Sequence, residues 1–89
     1  MAYQVKFTHR AEKTFAALPR VARIRIAIAL EKYAADPFHR HDVKKVKGCP
    51  PDTPRYRIRI GEYRVTFRII QDHLVMCVVA VGKKKNFEY

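Results

Sequence analysis

The chain is short of cysteine and acidic residues, and it contains no tryptophan. Its two cysteines, Cys49 and Cys77, are too few for a disulfide framework, and no Cys or His spacing is typical of a zinc site. We therefore expect two reduced thiols, with Cys77 in the core and Cys49 in a loop. No apolar run approaches the roughly 20 residues of a membrane span, and the N-terminus lacks the pattern of a signal peptide. These absences predict a cytoplasmic protein with no membrane contact and no metal or other cofactor.

What the chain has in excess is positive charge. Its 19 Lys and Arg residues against 8 Asp and Glu residues give a formal net charge of +11, with a pI near 10.1. Self-repulsion on this scale costs stability, so the expected partner is an anion. With 48% hydrophobic residues the chain is too apolar to be a disordered basic tail. Its 89 residues are enough for one domain, spanning residues 1–89.

The pattern of apolar residues predicts an α+β fold, a small twisted antiparallel β-sheet with an N-terminal helical hairpin packed on one face. Thr8 has the side chain of a helix N-cap, Pro19 ends the first helix, and Asp36-Pro37 ends the second. The last strand is apolar on both sides and is therefore expected to be central and covered on both faces. The expected elements are a strand at 2–7, helices at 9–18 and 20–35, and strands at 43–47, 55–60, 63–70 and 73–81.

The second predicted helix carries two apolar stripes when it is projected at 100° per residue. We expect the wider stripe to face the sheet. The narrower stripe has two interpretations: it packs against the first helix, or it docks a helix of a partner protein. The wider stripe consists of Ala22, Ile26, Ala29, Leu30 and Tyr33, and the narrower one of Val21, Ile24 and Ile28.

Residues 55–68 alternate arginine with apolar side chains on either side of Gly61 and Glu62. A two-residue turn at this point predicts a β-hairpin whose register places arginines opposite each other. Because like charges across strands are destabilising, such a face indicates either screening by solvent or an anion bound between the charges. The planar guanidinium group favours a polyphosphate chain. The predicted pairs are Ile60 with Tyr63, Arg59 with Arg64, Ile58 with Val65, Arg57 with Thr66 and Arg55 with Arg68.

Further cations lie in two other segments. Residues 43–47 form a short basic strand that would face phosphates without taking part in chemistry. The last residues, 82–89, combine lysines with aromatic rings, which is the composition of single-strand RNA recognition; the alternative is a frayed basic terminus without a role. The RNA-binding residues expected outside the reacting centre are Lys44, Lys45, Lys47, Arg55, Arg68, Lys83 and Lys85.

The order of these elements resembles the RelE branch of the RelE/ParE toxin superfamily. The resemblance rests on DVKKVKG at 42–48, YRIRIGEYRV at 56–65, VAVGKK at 79–84 and the closing Tyr89. It implies a toxin of a type II toxin–antitoxin system that cleaves messenger RNA in the ribosomal A site, without a metal, and so inhibits translation. It also implies a cognate RelB-like antitoxin as partner. Whether the two proteins together bind operator DNA is left open by the sequence.

Position by position, the resemblance implies a catalytic set of Arg57, Arg59, Arg64, Lys84 and Tyr89, with the tyrosine stacked on a base. The reaction is attack by the ribose 2′-hydroxyl on its own 3′-phosphate. Clustered guanidinium groups would stabilise the developing charge, but arginine stays protonated up to about pH 12 and is a poor base. Well-known members have lysines at 57 and 59, so Lys84, among cations that lower its pKa, is the expected group for proton transfer, as acid or base.

Two other functions are compatible with the same sequence. One is a ParE-like inhibitor of DNA gyrase, which would leave the arginines free to vary. The other is an RNA- or ribosome-binding module without a reaction. The four histidines are expected to be solvated surface residues rather than an acid/base pair.

Overall fold

The computed structural model describes residues 3–36, 43–48, 54–70 and 73–83. Two helices and five strands follow one another in the predicted order, so the α+β prediction is confirmed, with boundaries that differ by one or two residues. The elements are β1 Gln4–Phe7, α1 His9–Ala16, α2 Arg20–Ala35, β2 Val43–Lys45, β3 Tyr56–Ile60, β4 Tyr63–Ile70 and β5 Val75–Lys83.

The five strands form one sheet in the order β1-β5-β4-β3-β2. Three pairings are antiparallel as expected, whereas β1 runs parallel to β5. The prediction that the last strand is central is wrong, because β4 occupies the centre and β5 lies between β4 and β1. Met76 and Val78 of β5 are buried under the helices, while Cys77 is only half-buried on the opposite face rather than in the core. An apolar run thus identifies an interior strand but not its place in the order.

Both helices begin where the sequence predicts. The Oγ1 atom of Thr8 accepts a hydrogen bond of 3.1 Å from the backbone N–H of Ala11, which caps α1. Pro19 precedes α2 and suits a helix start, since it has no N–H to leave unsatisfied. The wider stripe of α2 packs on the sheet as predicted, with Ile26 and Leu30 fully buried.

The core lies between the two helices and one face of the sheet. Phe67 in β4 is its largest fully buried side chain, with 0% exposure. Its ring centroid is 5.2 Å from that of Tyr33 in α2 and 5.9 Å from that of Tyr56 in β3. Burial raises the pKa of the Tyr33 phenol above its ordinary value, and the phenols of Tyr3 and Tyr56 raise it further. The aromatic cluster therefore joins α2 to the middle of the sheet.

Replacing Phe67 by Ala should lower the free energy of unfolding by about 3–5 kcal/mol, because a buried ring leaves a cavity in a closely packed core. Urea unfolding followed by circular dichroism measures this loss. The matched control is Phe15→Ala, since Phe15 of α1 is half-buried and packs against Phe7 with centroids 5.1 Å apart. Equal losses in the two variants would contradict the assignment of Phe67 to the centre of the core.

Candidate nucleic-acid interface

The β3–β4 hairpin has the predicted register. Arg59 lies opposite Arg64, and the pairs on either side of it, Ile60 with Tyr63 and Ile58 with Val65, follow the same alignment. Gly61 has a φ of +59°, the left-handed region that favours glycine at the first central position of a tight turn. The two-residue turn therefore fixes which side chains share a face.

One side of the hairpin faces the helices, and the other carries the guanidinium groups. We call the second side the arginine face. Arg59 is exposed there, whereas its cross-strand neighbour Arg64 has only 7% of its surface exposed. A buried arginine has fewer accessible conformations and a less screened charge than a surface one, so Arg64 can present a fixed cation. By register and alternation the arginine face consists of Lys44, Arg57, Arg59, Arg64 and Arg68.

The lysines of the basic strand do not share one face. Lys44 pairs with Arg57 and extends the arginine face to the edge strand β2. Lys45 pairs with Tyr56 and therefore alternates to the helix side, and Lys47 is exposed in the turn that follows. The three lysines therefore do not lie on one side of the sheet, because successive residues of a strand point to opposite sides, and their contact with phosphates stays a prediction.

The predicted pair of Arg55 with Arg68 is not among the residue pairs of β3 and β4. Strand β3 begins at Tyr56, and its last pair is Tyr56 with Phe67. Arg55 is exposed just before the strand, and Arg68 is half-buried in β4. Within the β3–β4 hairpin, the cationic pair that the strands hold in place is therefore Arg59 with Arg64.

Strand β5 lines the other side of the arginine face with small groups. Gly82 lies opposite Arg64, and Ala80 lies opposite Thr66. Lys83 lies opposite Tyr63, which places it on the helix side of the sheet at the end where the hairpin turns. Three further residues of the expected site, Lys84, Lys85 and Tyr89, lie outside the described residues.

The narrower stripe of α2 is exposed to solvent. The exposed fractions are 69% for Val21, 48% for Ile24 and 52% for Ile28. The interpretation that this stripe packs against α1 is wrong, because α1 is short and turns its own apolar side to β5 and β1. The three side chains form an apolar surface without a cover among the described residues.

One contact near the hairpin is not predicted by the sequence. The guanidinium of Arg25, in α2, lies against Gly61 in the β3–β4 turn. The sequence presents Arg25 only as a residue between the two stripes of the helix. No pattern along the chain indicates how far its side chain reaches, since this depends on the packing of α2 over the hairpin.

Two absences apply to the described residues alone. Across 3–36, 43–48, 54–70 and 73–83 no three His, Cys, Asp or Glu side chains come together as metal ligands would. In the same ranges no helix is both long enough and apolar enough to cross a membrane.

Comparison with known proteins gives the family. The ParE toxin of the type II toxin–antitoxin system parDE has a family model that matches residues 5–86. The chain belongs to this toxin family. It is 30% identical over 88 residues to the mRNA interferase toxin RelE of Escherichia coli strain K12, a match that covers 99% of this chain and 90% of that protein. The recognition of the RelE/ParE superfamily is thereby confirmed.

Solved structures of RelE toxins in complex with antitoxins have the same fold. The RelE–RelB complex of Pyrococcus horikoshii OT3 contains a chain that superposes with a TM-score of 0.77 at 26% identity, covering 98% of this chain and all of that one. A chain of the intact Escherichia coli RelBE complex superposes with a TM-score of 0.75 at 27% identity, covering 92% of this chain and 96% of that one. The prediction of a RelE-like fold is therefore confirmed.

The opposed arginines should repel each other measurably. In a double-mutant cycle of Arg59→Gln and Arg64→Gln, the coupling between the two sites should be unfavourable by about 0.2–1 kcal/mol at low salt. It should shrink as salt screens the charges. Urea unfolding of the four proteins at two salt concentrations measures it. A control cycle combines Arg59→Gln with Lys13→Gln in α1 and should give no coupling. A favourable coupling between Arg59 and Arg64 would contradict the repulsion that we assign to this pair.

Proposed function

We propose that the protein is the toxin of a type II toxin–antitoxin system and acts as a ribosome-dependent endoribonuclease that cleaves messenger RNA in the A site. The observation that carries the proposal is the direct opposition of Arg59 and Arg64 on the side of the sheet that faces away from the helices. A phosphate between two guanidinium groups would offset their repulsion. The relative of Escherichia coli named as an mRNA interferase supports the choice of RNA as the anion.

The proposed reaction needs no water nucleophile. The ribose 2′-hydroxyl attacks the adjacent 3′-phosphorus, its proton is transferred away, and the 5′-oxygen of the next nucleotide leaves with a proton. The products are a 2′,3′-cyclic phosphate and a 5′-hydroxyl. Arg57, Arg59 and Arg64 stabilise the charge that develops on the phosphorane oxygens, which is the contribution that fixed cations make best. Lys84 is the proposed group for proton transfer, and Tyr89 stacks on a base of the codon.

Ribosome-dependent cleavage tests this site. Purified protein is incubated with messenger RNA, with and without programmed ribosomes, and the 5′ ends and terminal phosphates of the fragments are mapped. We expect cuts within the A-site codon that need the ribosome and leave a cyclic phosphate. Because removal of one electrostatic contact to a transition state costs about 10²–10³ in rate, Arg64→Ala and Lys84→Ala should reduce cleavage by at least this factor.

Two controls make this test specific. Lys13→Ala removes an exposed cation of α1, far from the arginine face, and should cleave like the wild type. Arg64→Lys keeps a charge at the buried position and, with circular dichroism, separates loss of charge from loss of fold. Wild-type rates in both Arg64→Ala and Lys84→Ala would overturn the assignment of the site.

We also propose that a RelB-like antitoxin binds the exposed stripe of α2 with an acidic amphipathic helix. The stripe of Val21, Ile24 and Ile28 is apolar and solvent-exposed, and cations flank it at Arg25 and Lys32. A second copy of this chain would bring a charge of +11 against another +11, so an acidic partner fits and a self-pair does not. The RelE–RelB complexes of Pyrococcus horikoshii and Escherichia coli support an antitoxin as that partner.

The exposed stripe can be tested with the product of the neighbouring reading frame. Ile24→Glu should weaken binding of this antitoxin at least about tenfold, since it removes a buried apolar contact and places a carboxylate among acidic groups. Isothermal calorimetry measures the dissociation constant. Ala16→Glu adds the same charge at an exposed position of α1, away from the stripe, and should bind as the wild type does. Unchanged affinity in Ile24→Glu would exclude this stripe as the docking surface.

The family match to a ParE toxin favours one alternative, inhibition of DNA gyrase. An assay of supercoiling by gyrase distinguishes it from RNA cleavage. Inhibited supercoiling with intact messenger RNA would establish the ParE-like function. Ribosome binding with neither effect would establish a module without a reaction.

A further inference from the structure

The side chain of Arg25 crosses from α2 to the turn of the hairpin. A Cβ atom built at Gly61 would lie 2.8 Å from Nη2, 3.4 Å from Cζ and 3.5 Å from Nη1 of Arg25. Two terminal nitrogens and the carbon between them thus approach the same point of the turn. Gly61 is therefore the residue that both permits the positive φ and leaves room for this guanidinium.

The donors of Arg25 are not used by the protein. Among the described residues, neither Arg25 nor the neighbouring Glu62 takes part in a hydrogen bond or an ion pair, and both are exposed. A purely structural role would be expected to pair this guanidinium with the adjacent carboxylate or a turn carbonyl. Instead the guanidinium lies beside the hairpin turn in an exposed residue, where it is accessible to an external anion.

A second cation lies on the same side of the same rim. Lys83 is opposite Tyr63, so it stands on the helix side of the sheet beside the turn and is exposed. The next pair of the hairpin, counted away from the turn, is Arg59 with Arg64, which belongs to the arginine face on the side of the sheet away from the helices. Cations therefore follow a path from the arginine face over the hairpin turn to α2.

We propose that Arg25 binds a backbone phosphate of the RNA at the point where the strand leaves the arginine face and passes over the Gly61 turn. The inference rests on the proposed function and adds to it the direction of the strand and a residue outside the reacting centre. The planar fork of arginine suits a phosphate, and the contact is independent of the base. Because the guanidinium lies against the turn rather than over Val21 and Ile28, RNA fits it better than a helix on the exposed stripe.

The test measures binding of a fluorescein-labelled oligouridylate to the full chain by fluorescence anisotropy across a salt series. Loss of one phosphate contact to a single strand lowers the magnitude of the slope of log K against log salt by about 0.7, so that a tenfold dilution of salt raises the affinity about fivefold less than it does in the wild type. Arg25→Ala should show this change and Arg25→Lys a smaller one. Lys32→Ala removes a charge two turns further along α2 and should leave the slope unchanged.

A pair of glycine variants tests the position of the side chain without removing it. Gly61→Ala places a methyl group 2.8 Å from Nη2 of Arg25, which forces the guanidinium to move, and it should weaken binding in the same direction as Arg25→Ala but by less. Gly48→Ala has the same backbone conflict, with φ at +85°, but its Cβ would meet nothing within 4 Å. It should therefore cost stability alone and leave the salt slope intact.

The outcomes separate this proposal from the proposed function. If Arg25→Ala and the wild type have equal slopes of log K against log salt, the role of Arg25 is overturned. If the slope of Arg59→Ala is reduced in the same experiment, RNA binding at the arginine face is still supported. No binding of the oligouridylate by the wild type, or no effect of either arginine, would overturn the role of Arg25, whereas the proposed function stands or falls with the cleavage assay on programmed ribosomes. If Arg25→Ala weakens binding of the antitoxin and not of the oligouridylate, the residue belongs to the exposed stripe and the proposal is overturned.

Discussion

A two-residue turn at Gly61 forces two arginines to stand opposite each other, and the proposed phosphate site depends on this constraint. Backbone hydrogen bonds hold Arg59 and Arg64 in register, so two like charges stay close together on one face of the hairpin, and an anion placed between them would reduce their repulsion. Arg64 is buried and has little room to move. In the proposed function, the hairpin gives up some of its own stability for a pair of cations that a phosphate can bridge.

The core explains how the fold tolerates this cost. The helices cover one face of the sheet alone, and the alternate residues of the same strands that carry the cations contribute Val65 and Phe67 to the packed side. Each strand of the hairpin is thus apolar on one side and cationic on the other. Burial of several large side chains at about 1.5–3 kcal/mol each exceeds the fractions of a kilocalorie that opposed surface charges cost.

Local rules were sufficient for much of this structure and failed where distant parts of the chain meet. The register of the hairpin and the cap at Thr8 follow from neighbouring residues, and both were predicted. The position of β5 in the strand order was not predicted, because an apolar strand next to the edge strand has the same composition as a central strand. A shift in the β4–β5 register between Thr66 and Phe67, and the positive φ of Leu74, carry no signal in residue type.

The candidate site divides in the same way. The arginine face is a property of one hairpin and could be predicted. The separation of Lys45 from Lys44 follows from the alternation of any strand, whereas the assignment of Lys44 to the arginine face required its partner strand to be known. The exposure of Ile24 depends on where α1 packs, and the position of Arg25 depends on how α2 crosses the turn. Side chains that reach between elements are set by tertiary packing, which the pattern of one element does not contain.

The two proposed surfaces also bear on how an antitoxin could silence this toxin. The exposed stripe lies on α2 and the arginine face lies on the far side of the sheet, so a helix confined to the stripe would leave the phosphate site uncovered. Arg25 stands beside the stripe and against the turn, on the path between the two surfaces. An acidic segment that continues from the stripe across this rim would meet the same cations as the RNA and compete with it directly. Inhibition by competition therefore requires a partner that is extended beyond its docking helix, with its negative charge concentrated in the part that crosses the rim.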